Sequence, residues 1–497
     1  MREIIVVATI DRTLTRAALE KAQGAAAWLE VRADLAGEVD VPLLRRHFDG
    51  KLLFTLRSRA EGGESDAVNG QRRERLIRAA AEYDLIDLEP QDLVPRVLGA
   101  IAPERRVIST CRRAADDDEL RFRVERLLAT PAAMYRVAPL ARKHAEALAP
   151  LRLIAALGRD DVCAYADGIL GVWTRIVAPQ LGAPAVFGTL DGDTGRDGVP
   201  TVAQLALDYG FPHPIEAREI FAIAGDPIYT SLSPRLHNAA FRATGRAALY
   251  IPFHVPSFAE FWLALVKSCA LDELGLPLKT ICVVSPNKEV ALAAATDRTP
   301  IVRRARSTNF FVRQNGNGAW TADTTDPAGV LLALGELGVE AANQKVAVVG
   351  CGGSGRAVAA ALQHAGAEVT LVNRGFDRGS LAVTLLRLPF LPLAGFSADE
   401  YSIVVNATPV GRNGDDMPFS TEHLREDAVV IDLVYGNAPT LLISKARERG
   451  QITIDGKQIL IKQAMRQFRL MTGEDMPEHV VRGVLGIEPA LAPALPA

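Results

Sequence analysis

Several residues in this chain have the type and spacing to do chemistry. Gly350, Gly352, Gly353, Ser354 and Gly355 crowd a short string after the apolar run Val346-Ala347-Val348-Val349. Ala357 to Ala365 then reads as a helix, and Glu368-Val369-Thr370-Leu371-Val372 as a second strand. Strand, glycine turn, helix and strand within about 30 residues is the setting that holds a dinucleotide. The glycines permit a tight turn and close approach of the backbone to a pyrophosphate, and the helix start presents free N–H groups to it. The second strand ends in Asn373-Arg374, with Arg378 close behind. An acidic residue there would bond a ribose 2′-hydroxyl, whereas an arginine suits a 2′-phosphate, so NADP is favoured over NAD. A ligand-free turn and a solvated arginine are the plain alternatives.

Ser231 and Ser233 stand two apart in a turn before a helix, so two hydroxyls can face one carboxylate. Helix capping is their alternative role. Gln463 and Gln467 are spaced i,i+4 and share one helix face. In the first 200 or so positions, Glu30, Arg32, Asp34, Arg57 and Arg175 gather at the C-terminal ends of predicted strands. Active sites of parallel barrels sit at those ends.

The elements that must position these groups follow from the pattern. Candidate strands are 4–9, 28–32, 52–56, 85–88, 107–110, 133–137, 162–166 and 186–189, with helices at 17–27, 71–83, 117–129 and 141–157 between them. Eight strands with intervening helices predict an α/β fold that opens with a (β/α)₈ barrel. Lys143 and His144 fall in the last of those helical stretches and read as surface residues. Gly210-Phe211-Pro212-His213-Pro214 is a turn-rich boundary. The expected domains are a barrel over 1–212, a substrate-binding domain over 218–326 and a Rossmann domain over 327–453. C-terminal helices over 454–487 return to the substrate domain, and 488–497, rich in Ala, Pro and Leu, is expected to be a disordered tail.

Bulk properties narrow the function classes. A net charge of −3 gives no support for nucleic-acid binding. No apolar run reaches the roughly 18 to 20 residues of a membrane span. The five cysteines lie far apart and none forms a CxxC, so neither a disulfide scaffold nor a metal site is indicated, and a reducing cytoplasm is expected.

Longer strings carry a family resemblance. Gly225-Asp226-Pro227-Ile228-Tyr229-Thr230-Ser231-Leu232-Ser233-Pro234-Arg235-Leu236-His237-Asn238 closely resembles the opening motif of shikimate dehydrogenases. Val284-Ser285-Pro286-Asn287-Lys288 resembles that family's Thr-x-Pro-x-Lys segment, and Thr324-Thr325-Asp326 its Asn-Thr-Asp motif. The resemblance implies Lys288 and Asp326 as the catalytic pair flanking the hydroxyl that becomes a ketone. It implies Ser231, Ser233, Asn309, Tyr435, Gln463 and Gln467 as substrate-binding residues. Thr408, in Asn406-Ala407-Thr408-Pro409, joins Asn373, Arg374, Arg378 and the glycine string on the cofactor side. Hydride leaves carbon only as the hydroxyl loses its proton, so such a reaction needs an acid–base group at that oxygen. Val284 for the family's Thr, Thr324 for its Asn and Pro327 for its Gly put the identity of the substrate in question, and quinate stays open beside shikimate.

The first half resembles type I 3-dehydroquinate dehydratase in Trp28-Leu29-Glu30-Val31-Arg32-Ala33-Asp34, Leu53-Phe54-Thr55-Leu56-Arg57 and the run from Gly168 to Arg175. That family works through a Schiff base on a strand-end lysine with a histidine partner. Here the lysine position carries Arg136 and the histidine position Cys111, while Gly195 and Val199 replace the Ser and Gln of the closing loop. A guanidinium is always protonated and cannot serve as the amine nucleophile. Glu30, Arg32, Arg57 and Arg175 could still hold a carboxylate, or simply pair with acidic neighbours. The whole chain therefore resembles the fused dehydratase–dehydrogenase enzymes of the shikimate pathway. The expectation is an NADP-dependent dehydrogenase attached to a barrel that lacks Schiff-base activity. A still active dehydratase half and a quinate dehydrogenase are the alternatives.

Overall fold

The computed structural model describes residues 3–11, 16–37, 39–190, 198–314, 318–414, 416–436 and 438–487. The tail from Glu488 and position 195 of the closing loop lie outside the described residues. The chain divides into two compact units, Met1–Leu278 and Lys279–Ala497.

The first unit opens with eight strands: β1 (Ile5–Ile10), β2 (Trp28–Arg32), β3 (Lys51–Thr55), β4 (Leu85–Leu88), β5 (Arg106–Thr110), β6 (Met134–Val137), β7 (Val162–Ala164) and β8 (Ala185–Thr189). They form one sheet in the order β7-β6-β5-β4-β3-β2-β1-β8. Each is buried along nearly its whole length, as parallel strands covered on both faces must be. Register puts Thr9 beside Glu30 and Arg32 beside Thr55, and brings Arg136 of β6 level with Ser109 and Cys163. One end of the sheet thus collects the polar residues. β9 (Glu219–Gly225) and β10 (Ala248–His254) follow as a parallel pair. Helix Ser233–Thr244 starts on the second serine of the predicted pair.

Three expectations need correction. The helix expected over 141–157 begins only at Ala149. Pro150 has no N–H to donate and is tolerated only in a first turn, so a helix cannot run through it from further back. His144 lies in the preceding turn and is fully buried rather than on the surface. Its backbone N–H and Nδ1 meet the Glu260 carboxylate, and its Nε2 lies 2.9 Å from the His254 carbonyl oxygen. Arg175 sits not at a strand end but in helix Val172–Val177, where it is buried.

The second unit holds β11 (Leu278–Val283), β12 (Asp297–Arg298), β13 (Phe310–Arg313) and β14 (Trp320–Asp323). β13 pairs antiparallel with both β11 and β14. A parallel sheet comes next, from β15 (Lys345–Val349), β16 (Glu368–Asn373), β17 (Phe390–Pro392), β18 (Ile403–Asn406), β19 (Val429–Asp432) and β20 (Ile452–Ile454). Its order, β17-β16-β15-β18-β19-β20, is that of a doubly wound sheet that reverses direction at β15. Helix Asp326–Glu336 packs on helix Gly456–Thr472. A Cβ on Gly329 would lie 3.0 Å from Ile459, and this close approach carries Gln463 towards Asp326. No helix among the described residues is long and apolar enough to cross a membrane.

Candidate functional site

In the second unit Lys288 follows β11 and Asp326 opens its helix. Lys288 Nζ donates to Asp326 Oδ2 at 2.6 Å, and both side chains are largely shielded from solvent. An acidic residue in the first helical turn is favoured by the free N–H groups there. Pro327 fits the same turn because its missing N–H would be unused. Asp326 Oδ1 accepts from Asn309 Nδ2 at 2.6 Å and from Gln463 Nε2 at 2.7 Å. Thr325 lies at the hub of this network. Its hydroxyl accepts from Gln467 Nε2 at 2.9 Å and Asn309 Nδ2 at 3.1 Å, and its backbone N–H donates to Asn309 Oδ1 at 2.7 Å. The carboxylate is thereby held by three donors, Lys288, Asn309 and Gln463, while the ammonium keeps N–H capacity to spare. Such an arrangement can pass a proton to or from an oxygen beside Lys288.

The glycine string behaves as close backbone packing demands. Gly350 has φ of 113°, and a Cβ there would lie 2.9 Å from Ala407. A Cβ on Gly355 would collide with the Gly350 carbonyl oxygen. Gly352, at the start of helix Gly353–His364, meets nothing within 4 Å, which leaves room for a pyrophosphate against the helix N-terminus. Arg374, just past β16, and Arg378, in the helix Phe376–Leu386 that follows, are exposed, and no carboxylate pairs with either among the described residues. These features fit a phosphorylated dinucleotide. Asn373 and Thr408 use their side chains locally: Asn373 Oδ1 accepts from Cys351 N, and the Thr408 hydroxyl donates to Asn406 Oδ1 at 2.7 Å. Tyr435 lines a cavity of ≈ 300 Å³ with Gly411, Arg412 and Thr440.

In the first unit, the Ser231 hydroxyl accepts from the Ser233 N–H at 3.3 Å, a capping contact at the helix start. At the polar end of the barrel, Glu30 is fully buried and accepts from Thr9 (2.8 Å), Thr55 (2.9 Å) and Arg136 Nη1 (2.6 Å). Burial opposes its charge, yet Arg136, Arg57 and Arg32 outweigh burial and bring its carboxyl down to about 2. Arg136 also donates from Nε to Tyr165 Oη at 2.8 Å and lies 3.9 Å above the Phe187 ring. Arg57 donates to Cys111 Sγ at 2.8 Å and to Asp87 at 3.2 Å. Arg32 grips Asp34 with two hydrogen bonds, and Arg175 pairs with Asp167. Burial lifts the Cys111 thiol to about 11 and the Tyr165 hydroxyl to about 12. Nε of Arg57 and Nε of Arg175 are buried without a partner.

Motif reading did not single out Thr325, Arg356 or the His144–Glu260 contact. The first lay inside a motif already noted, and the others depend on long-range contacts that carry no local spacing signal.

The fold and site define a two-part α/β protein. A parallel barrel precedes a unit in which a glycine-turn nucleotide fold adjoins a lysine–carboxylate pair. Residues 4–214 match the family model described as type I 3-dehydroquinase. A relative in Methanothrix thermoacetophila, "Shikimate dehydrogenase (NADP(+))", is 35% identical over 283 residues, covering 54% of this chain and 98% of the relative. The chain belongs to the shikimate dehydrogenase family. Across most of its length it is also similar to an Arabidopsis thaliana protein, "Bifunctional 3-dehydroquinate dehydratase/shikimate dehydrogenase, chloroplastic". The two are 27% identical over 456 residues, covering 86% of this chain and 74% of that one. A crystal structure of shikimate dehydrogenase from Aquifex aeolicus is 28% identical and covers 54% of this chain and 97% of its own, with a TM-score of 0.48.

Proposed function

We propose that the protein interconverts 3-dehydroshikimate and shikimate with NADP as the hydride carrier. The Lys288–Asp326 contact of 2.6 Å, braced by Asn309 and Gln463, supports this reading above any other observation. When bound, the dinucleotide supplies or takes the hydride. Lys288 gives a proton to the substrate oxygen in reduction and takes it back in oxidation. Asp326 keeps the ammonium in place and balances its charge. Gln463, Gln467 and Asn309 hold substrate hydroxyls from the network around Thr325, and Ser231 and Ser233 are assigned to the carboxylate. Tyr435 is assigned to the substrate as well. Gly350, Gly352, Gly353, Gly355 and the start of their helix receive the pyrophosphate, Arg374 and Arg378 the 2′-phosphate, and Asn373 and Thr408 shape that loop. Val284 and Thr324 stand where the family motif has Thr and Asn, so the assay compares NADP reduction with shikimate and with quinate side by side. Quinate turnover at equal or higher kcat/KM would replace shikimate as the substrate.

The barrel, in this reading, forms no Schiff base. Arg136 occupies the lysine position and is committed to Glu30 and Tyr165. Borohydride trapping with 3-dehydroquinate tests this: a covalent adduct on the barrel would overturn it. The five free cysteines suit a cytoplasmic setting. The assigned limits are residues 1–212 for the barrel, 218–326 for the substrate-binding domain, 327–453 for the Rossmann domain and 454–487 for the returning helices.

A further inference from the structure

The helix that follows the glycine turn also reaches the lysine. Lys288 Nζ makes two hydrogen bonds, one to Asp326 Oδ2 and a second, of 2.8 Å, to the hydroxyl of Ser354. Ser354 is the second residue of helix Gly353–His364. Two positions on, Arg356 is 1% exposed and is tied down at every nitrogen. Its Nε donates to the Ala305 carbonyl at 2.8 Å and its Nη1 to the Cys351 carbonyl at 2.9 Å. Its Nη2 reaches the Arg306 carbonyl at 3.4 Å and the Glu289 carboxylate at 3.2 Å. Glu289 is the neighbour of Lys288, and Ala305-Arg306 leads into Asn309. One buried guanidinium therefore clamps the first turn of the helix to both segments that carry the polar network. Gly353 completes the contact: a Cβ there would lie 2.2 Å from Ser307 Oγ and 3.5 Å from Lys288 Cβ. The absence of a side chain at 353 lets the helix approach the lysine.

We propose that Ser354 is a positioning residue for Lys288, serving the amine with its side chain rather than the dinucleotide. An ammonium has three N–H groups. Asp326 takes one and Ser354 a second, so the third is left for the substrate oxygen and the amine cannot swing between acceptors. Arg356 fixes the helix turn that makes the Ser354 contact. The proposal rests on the reading of Lys288 as the acid–base group.

Ser354→Ala and Ser354→Thr decide it in the full chain. Three quantities are measured: kcat for 3-dehydroshikimate reduction, NADPH affinity from the cofactor's fluorescence, and acetylation of Lys288 by trace acetic anhydride, read by peptide mass spectrometry. Ser354→Ala is expected to lower kcat about 5- to 10-fold and to speed Lys288 acetylation about 3-fold, the scale of one modest hydrogen bond. NADPH affinity should stay within about 2-fold, a change smaller than the loss of one such bond. Ser354→Thr keeps the hydroxyl and should restore all three values. Weakened NADPH binding with kcat and labelling intact would give the hydroxyl to the cofactor and overturn the proposal, as would unchanged labelling. If the unmodified protein turns over no 3-dehydroshikimate, the functional reading falls, and the labelling comparison still decides whether Ser354 holds Lys288.

Discussion

Removing Arg136 should strip Glu30 of its hydrogen-bonded arginine and leave only Arg57 and Arg32 to compensate its charge in the barrel core, and the size of the loss can be worked from two directions. Glu30 is fully buried, and its carboxyl falls from 4.5 to about 2 because burial, which alone would raise it, is outweighed by Arg136, Arg57 and Arg32. At about 1.36 kcal/mol per unit, that fall corresponds to about 3 kcal/mol of stabilisation of the ionised form. Breaking a buried pair from one side costs about 3–5 kcal/mol in general. The first figure sums three arginines against burial, and Arg136, which donates to Glu30 directly, carries the largest lowering share, so Arg136→Met should cost about 3 kcal/mol, the low end of that range. Cys163 supplies an assay confined to the barrel. It is fully buried on β7, with its thiol lifted to about 12 by burial, so it reacts with alkylating reagents only when the barrel opens. A loss of this size moves the urea midpoint of Cys163 alkylation down by roughly 1–2 M. The double variant Glu30→Gln/Arg136→Met removes both charges. Its cost should fall short of the sum of the single costs by at least about 2 kcal/mol. If Arg136→Met stays within about 1 kcal/mol of the parent, or if the two changes simply add, the pair does not hold the barrel together and the reasoning fails.

Other outcomes follow from the same contacts. Because the folded Glu30 carboxyl lies below its ordinary value, its contribution is complete above about pH 4.5 and is lost as pH falls towards 2. The stability difference between the parent and Glu30→Gln should therefore shrink across that window in thermal melts, and a difference that grew on acidification would reverse the assigned sign. Lys288→Ala should lower kcat by ~10² to 10⁴ with NADPH affinity nearly unchanged. With Asp326→Asn added, the loss should be far smaller than the product of the single losses, since both act on one proton. Arg374→Ala should weaken NADPH by ~1.5 to 3 kcal/mol in a fluorescence titration and leave NADH alone; equal losses for both would show that the 2′-phosphate is read elsewhere. His144→Leu strips the buried contacts to Glu260 and to the His254 carbonyl and should cost about 1–3 kcal/mol in the first unit, followed by hydrogen exchange of helix Phe258–Phe261.

Local pattern made some features legible and left others out of reach. Parallel strands buried on both faces read as short apolar runs, so β2 and β4 were placed to the residue, and the Val346-to-Val372 unit carried its own turn, helix and second strand. Helix starts were harder, because capping and proline placement compete with apolar periodicity. Pro150 moved one start by eight positions, from 141 to 149, and with it the surroundings of His144. Single contacts across long stretches of sequence left no trace in spacing. Ser354 looks like part of a phosphate turn until Lys288, 66 positions away, is found beside it. Arg356 reads as a helix residue among alanines until its donors are traced to 289, 305 and 306.

The two halves use the same residue types to different ends, and the charges and hydrogen-bond partners around each group differ between them. Proton transfer or nucleophilic attack near neutral pH needs a group that can change charge there. At the polar end of the barrel the candidates are pushed away from that range: Glu30 down to about 2, Cys111 up to about 11 and Tyr165 up to about 12. Burial raises Asp87, but that carboxyl faces the Arg57 guanidinium, which favours its charged form. Two buried donors there, Nε of Arg57 and Nε of Arg175, lack a partner, as does the acceptor Asp87 Oδ1, and such donors can hold an anion without transforming it. Around Lys288 the balance is reversed. The carboxylate Asp326 is supplied with donors by Asn309, Gln463 and Lys288 itself, while the amine meets two acceptors for its three N–H groups. A group held in place yet short of one acceptor is what a substrate oxygen can complete, which supports the proposal that Lys288 is the acid–base group.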